Sequence, residues 1–406
     1  MTTQKINRPR LYLFHILLFI YGDIACENYI LRAYNSLAPS LEFLLFVGIL
    51  LLQVVAAPIQ AALSDLYCRK RSLIVSIVCS LLSLILLLLF NLKILYSIPV
   101  IIFLSFLKGS VGNTIPLSLA AIADTQDKNY RFSFGLSTLA YTLAYLMMIF
   151  SVLYLSDALA NGIIVIFYII VLFLCITCFK DIRDRDFHSS RNSQHTSLIK
   201  LVSHELSLVV HDLKKPFFQH AIFAFLLWEI SVYCVLLLYV DFNKIDFRII
   251  SITMMVGYLF GIYLLKKFND VSDSKMGKMG MFLGSLSLIP FYFHFLTQFF
   301  KLTTQSFPFL VLAGCYFFHS VGMAILPPTL FAMLAKGARQ HEQGRIYGVM
   351  ESVDTIAFLI SSISVMIYNF ANLKLIYIIT LSFVTVVVSW VPFKKYLILK
   401  PKEIIQ

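Results

Sequence analysis

The chain predicts an all-α polytopic membrane protein, with twelve transmembrane helices arranged as two six-helix bundles. Three observations predict it. The 406 residues are 59% hydrophobic and 13% charged, with a mean hydropathy of +0.85, so lipid must be the solvent for most of the surface. Apolar stretches of roughly 20 residues recur along the chain, each long enough to cross about 30 Å of hydrocarbon as a helix. The gaps between them are alternately rich and poor in Lys and Arg.

The spans fall at 11–31, 41–62, 72–91, 95–123, 132–155, 160–179, 217–240, 247–265, 278–299, 308–334, 346–369 and 372–393. The first follows a basic N-terminus as a signal peptide would. It contains Asp23 and Glu27 and lacks a small-residue cleavage site, so it reads as a retained helix. The second and third flank the basic turn Arg69-Lys70-Arg71. The fourth carries Lys108, Asn113 and Pro116, the fifth Tyr141, and the sixth Cys175 and Cys178. In the second half, the seventh span holds Trp228 and Glu229, and the eighth and ninth flank a turn with four lysines. The tenth holds His319, Pro327 and Pro328. The eleventh has Glu351 and Asp354 close to its cytoplasmic entrance, where they read as a hydrated rim, and the twelfth stops before Lys394 and Lys395. The prolines read as bends in the fourth and tenth spans.

A net charge of +12 would suit a nucleic-acid binder, but the positions of the 33 basic residues argue otherwise. With the N-terminus in the cytoplasm, 26 of them fall on the inner side and 6 on the outer, Arg248, Lys278 and Lys374 being counted at the ends of their spans, and Lys108 alone lies deep within a span. This is the positive-inside asymmetry, so both termini are cytoplasmic and the charge requires no nucleic acid. The expected home is a plasma or inner membrane.

The longest polar interval sets the domain plan: a cytoplasmic N-terminus at 1–10, an N-terminal bundle at 11–180, a linker at 181–216, a C-terminal bundle at 217–397 and a tail at 398–406. Within the linker, 197–212 is amphipathic and reads as a helix lying in the cytoplasmic interface. The seven cysteines lie mostly within spans, where a thiol packs as a small apolar group, so no disulfide framework is expected. The Cys175/Cys178 pair and the histidines His188, His195, His204 and His211, of which the first two and the last two are seven residues apart, lack companions for a metal site. No cofactor, metal site or catalytic residue is expected.

Four motifs carry a resemblance to a known family. Between the second and third spans the chain reads Ala61-Ala-Leu-Ser-Asp65-Leu-Tyr-Cys-Arg69-Lys70-Arg71, and 275–278 is a degenerate copy in the second half. Lys108 is followed by Gly112 and Asn113, Asp124 closes the fourth span, and Gln343-Gly344-Arg345 opens the eleventh, with Gly348 beyond. Together these resemble the major facilitator superfamily, although Ala61, Leu66 and Cys68 stand where its loop signature has Gly, Arg and Gly. The resemblance implies two bundles related by a parallel repeat and rocking about a midplane site. It also implies a cytoplasmic latch of Asp65, Arg69, Lys70, Arg71 and Asp124. In that latch Asp65 faces the N-terminus of the eleventh helix and Arg69 pairs with Asp124.

The ionisable groups inside the spans point to function, because each costs about 2.5–3.5 kcal/mol at the bilayer centre on insertion scales. Asp23 is about 18 Å from the cytoplasmic end of its span and Lys108 about 22 Å from its own. Glu229 and His319 repeat those depths in the second half. The resemblance implies that the first, fourth, seventh and tenth helices line the central pathway. Asp23, Glu27 and Lys108 are therefore expected to form one charged cluster and Glu229 with His319 another, with Asn113 and Trp228 in the substrate cavity.

These residues suit a secondary active transporter of a small polar or charged organic solute, working by alternating access and coupled to protons. It would act as a monomer in contact with solute, proton and lipid, not as an enzyme. An ATP-driven pump is disfavoured because GxxxxGK[ST] is missing from the sequence. The fifth span lacks the Gly-Pro-rich signature of the family's drug/proton antiporters, which favours uptake or exchange. Two alternatives stay open: a metal-ion exporter using Asp23 and His319, and a non-transporting membrane receptor or scaffold.

Overall fold

The computed structural model describes residues 9–34, 37, 39–125, 130–179, 207–208, 211, 214–242, 247–299, 309–338, 342–371 and 376–398. Among them there are thirteen helices and no strand. The first half contains α1 (Pro9–Tyr34), α2 (Pro39–Leu66), α3 (Arg69–Asn91), α4 (Ile98–Val111), α5 (Ile115–Asp124), α6 (Tyr130–Tyr154) and α7 (Asp157–Thr177). The second contains α8 (Pro216–Phe242), α9 (Phe247–Lys267), α10 (Asp273–Phe299), α11 (Phe309–Gly337), α12 (Gln343–Ala371) and α13 (Ile376–Ile398). Because α4 and α5 are two parts of one broken span, the helices make twelve passes. Seven helical stretches among the described residues meet the length and hydropathy of a bilayer span outright, including Ile98–Asp124 taken whole. Most of the linker, and the helix predicted at 197–212 apart from 207–208 and 211, lies outside the described residues, as do 1–8 and 399–406.

The predicted fourth span is continuous; the observed one stops at Val111 and restarts at Ile115. Pro116 explains the break. Its ring occupies the space of the carbonyl four residues earlier, which belongs to Gly112, and it has no N–H to offer. Gly112 becomes the C-cap of α4, and Pro116 sits in the first turn of α5, where its missing donor costs nothing. By contrast α11 runs unbroken through Pro327 and Pro328, and α2 through Pro58.

Packing divides the chain into two compact units. The first comprises Met1–Ser133, Ala140–Asp212 and Ala338–Ser352; the second comprises Phe134–Leu139, Leu213–Gly337 and Val353–Gln406. In the first unit α1 packs on α7, α5 and α3, while α4 packs on α2 and α3. Helix α7 illustrates the lipid solvent. Ala160, Asn161, Ile164, Tyr168 and Cys175 are buried, whereas Ile163, Ile166, Ile170 and Phe173 are exposed although equally apolar.

In the second unit α11 packs on α9 and α10, and α8 packs on α13. Helices α10 and α11 cross where glycines face each other. A Cβ on Gly322 would stand 2.6 Å from the Gly284 nitrogen, and one on Gly284 would stand 2.2 Å from Cη2 of the fully buried Trp228. Small residues permit this close backbone approach where no hydrophobic force drives helices together. Gly284→Ala is expected to destabilise the protein by about 1–3 kcal/mol through overpacking against an indole with nowhere to go. Thermal unfolding in detergent checks this, with Gly162→Ala, whose Cβ meets open space, expected to leave the midpoint unchanged or raised.

Candidate functional site

The break in the fourth span frees backbone groups in a dry interior, and buried side chains satisfy them. Lys108, in the last turn of α4, donates to the freed Gly112 carbonyl at 2.7 Å, and Ser80 of α3 donates to the same oxygen at 2.8 Å. On the other side of the break, the Thr114 N–H donates to Oδ2 of Asp23 at 2.8 Å, and the Ile115 N–H to Oδ1 of Asn113 at 3.0 Å. The Thr114 hydroxyl reaches the Phe19 carbonyl at 3.2 Å. Lys108 Nζ closes the arrangement with an ion pair to Oδ1 of Asp23. Both side chains of that pair are 0% exposed.

The signs of the two charges suit their places. A cation stands at the carbonyl end of α4 and an anion at the amide end of α5, so each charge meets the favourable pole of a half-helix. Glu27, one turn beyond Asp23, is only partly buried, and the charges of Lys108 and Asp23 act on it. Asn113 also donates from Nδ2 to Oε1 of Glu351 on α12 at 3.4 Å.

A second polar arrangement in the same unit joins α2, α3, α5 and the N-terminus of α12. Asp65 accepts the Gly344 N–H at 3.0 Å and the Arg345 N–H at 2.9 Å, one on each carboxylate oxygen. Arg69, 1% exposed, pairs with Asp65 at 2.8 Å and with Asp124 at 2.6 Å, and donates to the Ser64 hydroxyl at 2.6 Å. Lys70 donates to the Ile176 carbonyl at 2.6 Å in the last turn of α7, and Arg71 is exposed. The approach of α12 is close: a Cβ on Gly344 would stand 2.3 Å from the Ala61 carbonyl. On Gly348 it would stand 2.6 Å from Cα of Pro58. Two glycines on α12 therefore make the room that lets Ala61 replace the signature glycine.

The second unit does not join Glu229 to His319. Both are buried, at 3% and 2% exposure, but neither a hydrogen bond nor an ion pair links them among the described residues. Trp228 stacks over His319 with centroids 6.4 Å apart, and its indole N–H donates to the Met323 sulfur at 3.3 Å. Glu229 instead has the Asp354 carboxylate acting on it, and Tyr233, one turn along α8, donates to both oxygens of Asp354 at 3.1 and 3.2 Å. Adjacent helical residues point about 100° apart, so Trp228 and Glu229 cannot both face α11. Depth along a helix says nothing of azimuth, which is what a pairing needs. Asp354, read from sequence as rim, belongs with this group through Tyr233, which lies four residues after Glu229 on α8; no spacing in the sequence pointed to it.

The sequence profile of the Major Facilitator Superfamily matches residues 23–394. The chain belongs to that superfamily. Solved structures of the superfamily share the fold at low identity. The human organic anion transporter MFSD10 (TETRAN) has a TM-score of 0.70 at 14% identity, covering 95% of this chain and 99% of its own. A bacterial homologue of the iron transporter ferroportin, outward-facing, has 0.69 at 12% identity, covering 96% and 99%. The E. coli fucose:proton symporter has 0.65 at 14% identity, covering 95% and 98%. No curated protein matches the sequence. The protein is thus a multi-pass membrane transporter by family.

Arg69 holds two buried carboxylates and a hydroxyl at once, so removing it leaves uncompensated charge. Arg69→Ala is expected to cost about 3–5 kcal/mol. Arg69→Lys should recover only part of this, because an ammonium cannot span the three acceptors in one plane. Denaturant or thermal unfolding of the purified variants gives the comparison.

Proposed function

We propose that the protein is a secondary active transporter that moves a small polar or charged organic solute by alternating access, with coupling to protons. The observation that carries this reading is the Asp23–Lys108 pair, sealed from solvent and seated in the unwound centre of the fourth span. Irregular backbone is tolerated at membrane depth where it is buried or lines a pathway, and ionisable groups there accompany substrate or ion movement. Making and breaking the Asp65 contacts with the N-terminus of α12 would serve as the cytoplasmic latch. The charge asymmetry of the loops supports cytoplasmic termini in a plasma or inner membrane, and a monomer suffices for the cycle.

The superfamily members of similar fold are named for an organic anion, for iron and for fucose with a proton, so no one of these substrates is adopted for this chain. The metal reading draws no support from Asp23, whose two oxygens are both engaged by Lys108 and Thr114.

Purified protein screened by thermal shift against amino acids, nucleosides, sugars and carboxylates is expected to yield a stabilising solute. Proteoliposomes should then accumulate that solute above its equilibrium level when a proton gradient is imposed. Flux that ignores the gradient would remove the coupling, and no flux of any stabilising solute would remove the transporter.

A further inference from the structure

Helix α2 runs through Pro58 without a break, although a proline has no N–H to give to the carbonyl four residues earlier. That carbonyl belongs to Val54, and a donor from another helix meets it: the hydroxyl of Ser352 on α12 stands 2.7 Å away. The contact is one of a stripe, all of it within the first compact unit. Along α12, Gly344 and Arg345 give their amides to Asp65, a Cβ on Gly348 would stand 2.6 Å from Cα of Pro58, and Ser352 reaches Val54. Gly344, Gly348 and Ser352 follow one another at four-residue intervals and so share one face of α12. That face lies on the face of α2 that carries Asp65, Ala61, Pro58 and Val54.

Ser352 is buried, and it has a second acceptor of its own: the Gly348 carbonyl, one turn back in α12, at 3.0 Å. A serine hydroxyl has a single hydrogen to give, so the two carbonyls compete for it. They are not equal. The Gly348 carbonyl has its own helix amide and moves with α12, whereas the Val54 carbonyl stays on α2 and has no amide to fall back on. The preceding residue, Glu351, accepts from Asn113 at 3.4 Å. Two adjacent residues of α12 thus touch the first unit at both of its proline defects, the break before Pro116 and the carbonyl that Pro58 leaves unpaired.

We propose that Ser352 is a positioning residue of the cytoplasmic latch: its hydroxyl pairs the Val54 carbonyl that Pro58 leaves without an amide while α12 is docked on α2, and turns back to Gly348 when α12 lifts. The inference rests on the alternating-access reading and deepens it by naming a contact that the latch must exchange. The donor loses nothing in that exchange, because its second acceptor travels with it. The carbonyl does lose a partner, and water entering the parted interface replaces the hydroxyl. A dry interface at this turn therefore favours the docked state, while the Asp65 contacts with the first amides of α12 fix its register.

Hydrogen–deuterium exchange of the full-length protein in lipid nanodiscs measures the opening of the docked segment, read on peptides within 343–352, with peptides within 277–289 of α10 as the internal reference. Ser352→Ala is expected to raise the opening constant of 343–352 about threefold to tenfold, the range of one neutral hydrogen bond, and to leave α10 unchanged. Pro58→Ala supplies the missing amide to the Val54 carbonyl and so removes the need for the hydroxyl; alanine suits a helix interior, and the variant is expected to fold. In that background Ser352→Ala should change the opening constant by less than about twofold, the ordinary scatter of additivity. No change in 343–352 on Ser352→Ala, or a rise as large in the Pro58→Ala background as in the wild type, would overturn the assignment. A rise shared by α10 would mean general loosening of the fold and would overturn it as well. The measurement uses neither solute nor gradient, so its failure is distinguishable from failure of transport itself.

Discussion

The rest of the first unit depends on how a helix can be interrupted in a medium that offers no water. Pro116 forces the interruption by displacing the Gly112 carbonyl, and α4 and α5 would then leave polar backbone groups exposed to a dry interior. Asp23 and Lys108 remove that cost by standing at opposite poles of the break and pairing with each other across it. Neither charge is tolerable alone at this depth. Together with the Ser80 hydroxyl and the Asn113 amide, they satisfy the groups the proline releases.

The same logic of placing charge against helix ends recurs at the cytoplasmic turn between α2 and α3. Asp65 takes two amides at the start of α12, Lys70 takes a carbonyl at the end of α7, and Arg69 ties Asp65 to the last residue of α5. Since α5 begins at the Asp23–Lys108 staple and ends at Asp124, one ten-residue helix has a charged anchor at each end. A short rigid element fixed in this way supplies a physical route by which a change at the inner pair would be felt at the turn.

Much of this was legible in the sequence because it rests on spacing and sign. Helix rise alone put Asp23 and Lys108 at similar depth, whereas the pairing of Asp124 with Arg69 came from what the family resemblance implies. The break was not legible as a break. Proline within an apolar run reads equally well as a bend, and α11 tolerates two prolines where the fourth span tolerates none. Glu229 and His319 were matched on depth alone, and depth carries no information on which way a residue faces around its helix; neither a hydrogen bond nor an ion pair links them among the described residues. Asp354 was hidden for a related reason: its distance from the end of its own span suggested a rim, whereas the hydroxyl of Tyr233 draws it to α8.

The central claim is that Asp23 and Lys108 act as one unit in holding the interrupted span. A double-mutant cycle on unfolding free energy, using Asp23→Asn, Lys108→Gln and the two combined, measures it most directly. The account predicts a coupling of about 1–3 kcal/mol, with the double variant less damaged than the singles would sum to. Additivity to within about 0.3–0.5 kcal/mol would mean that the two residues contribute independently, and would contradict it.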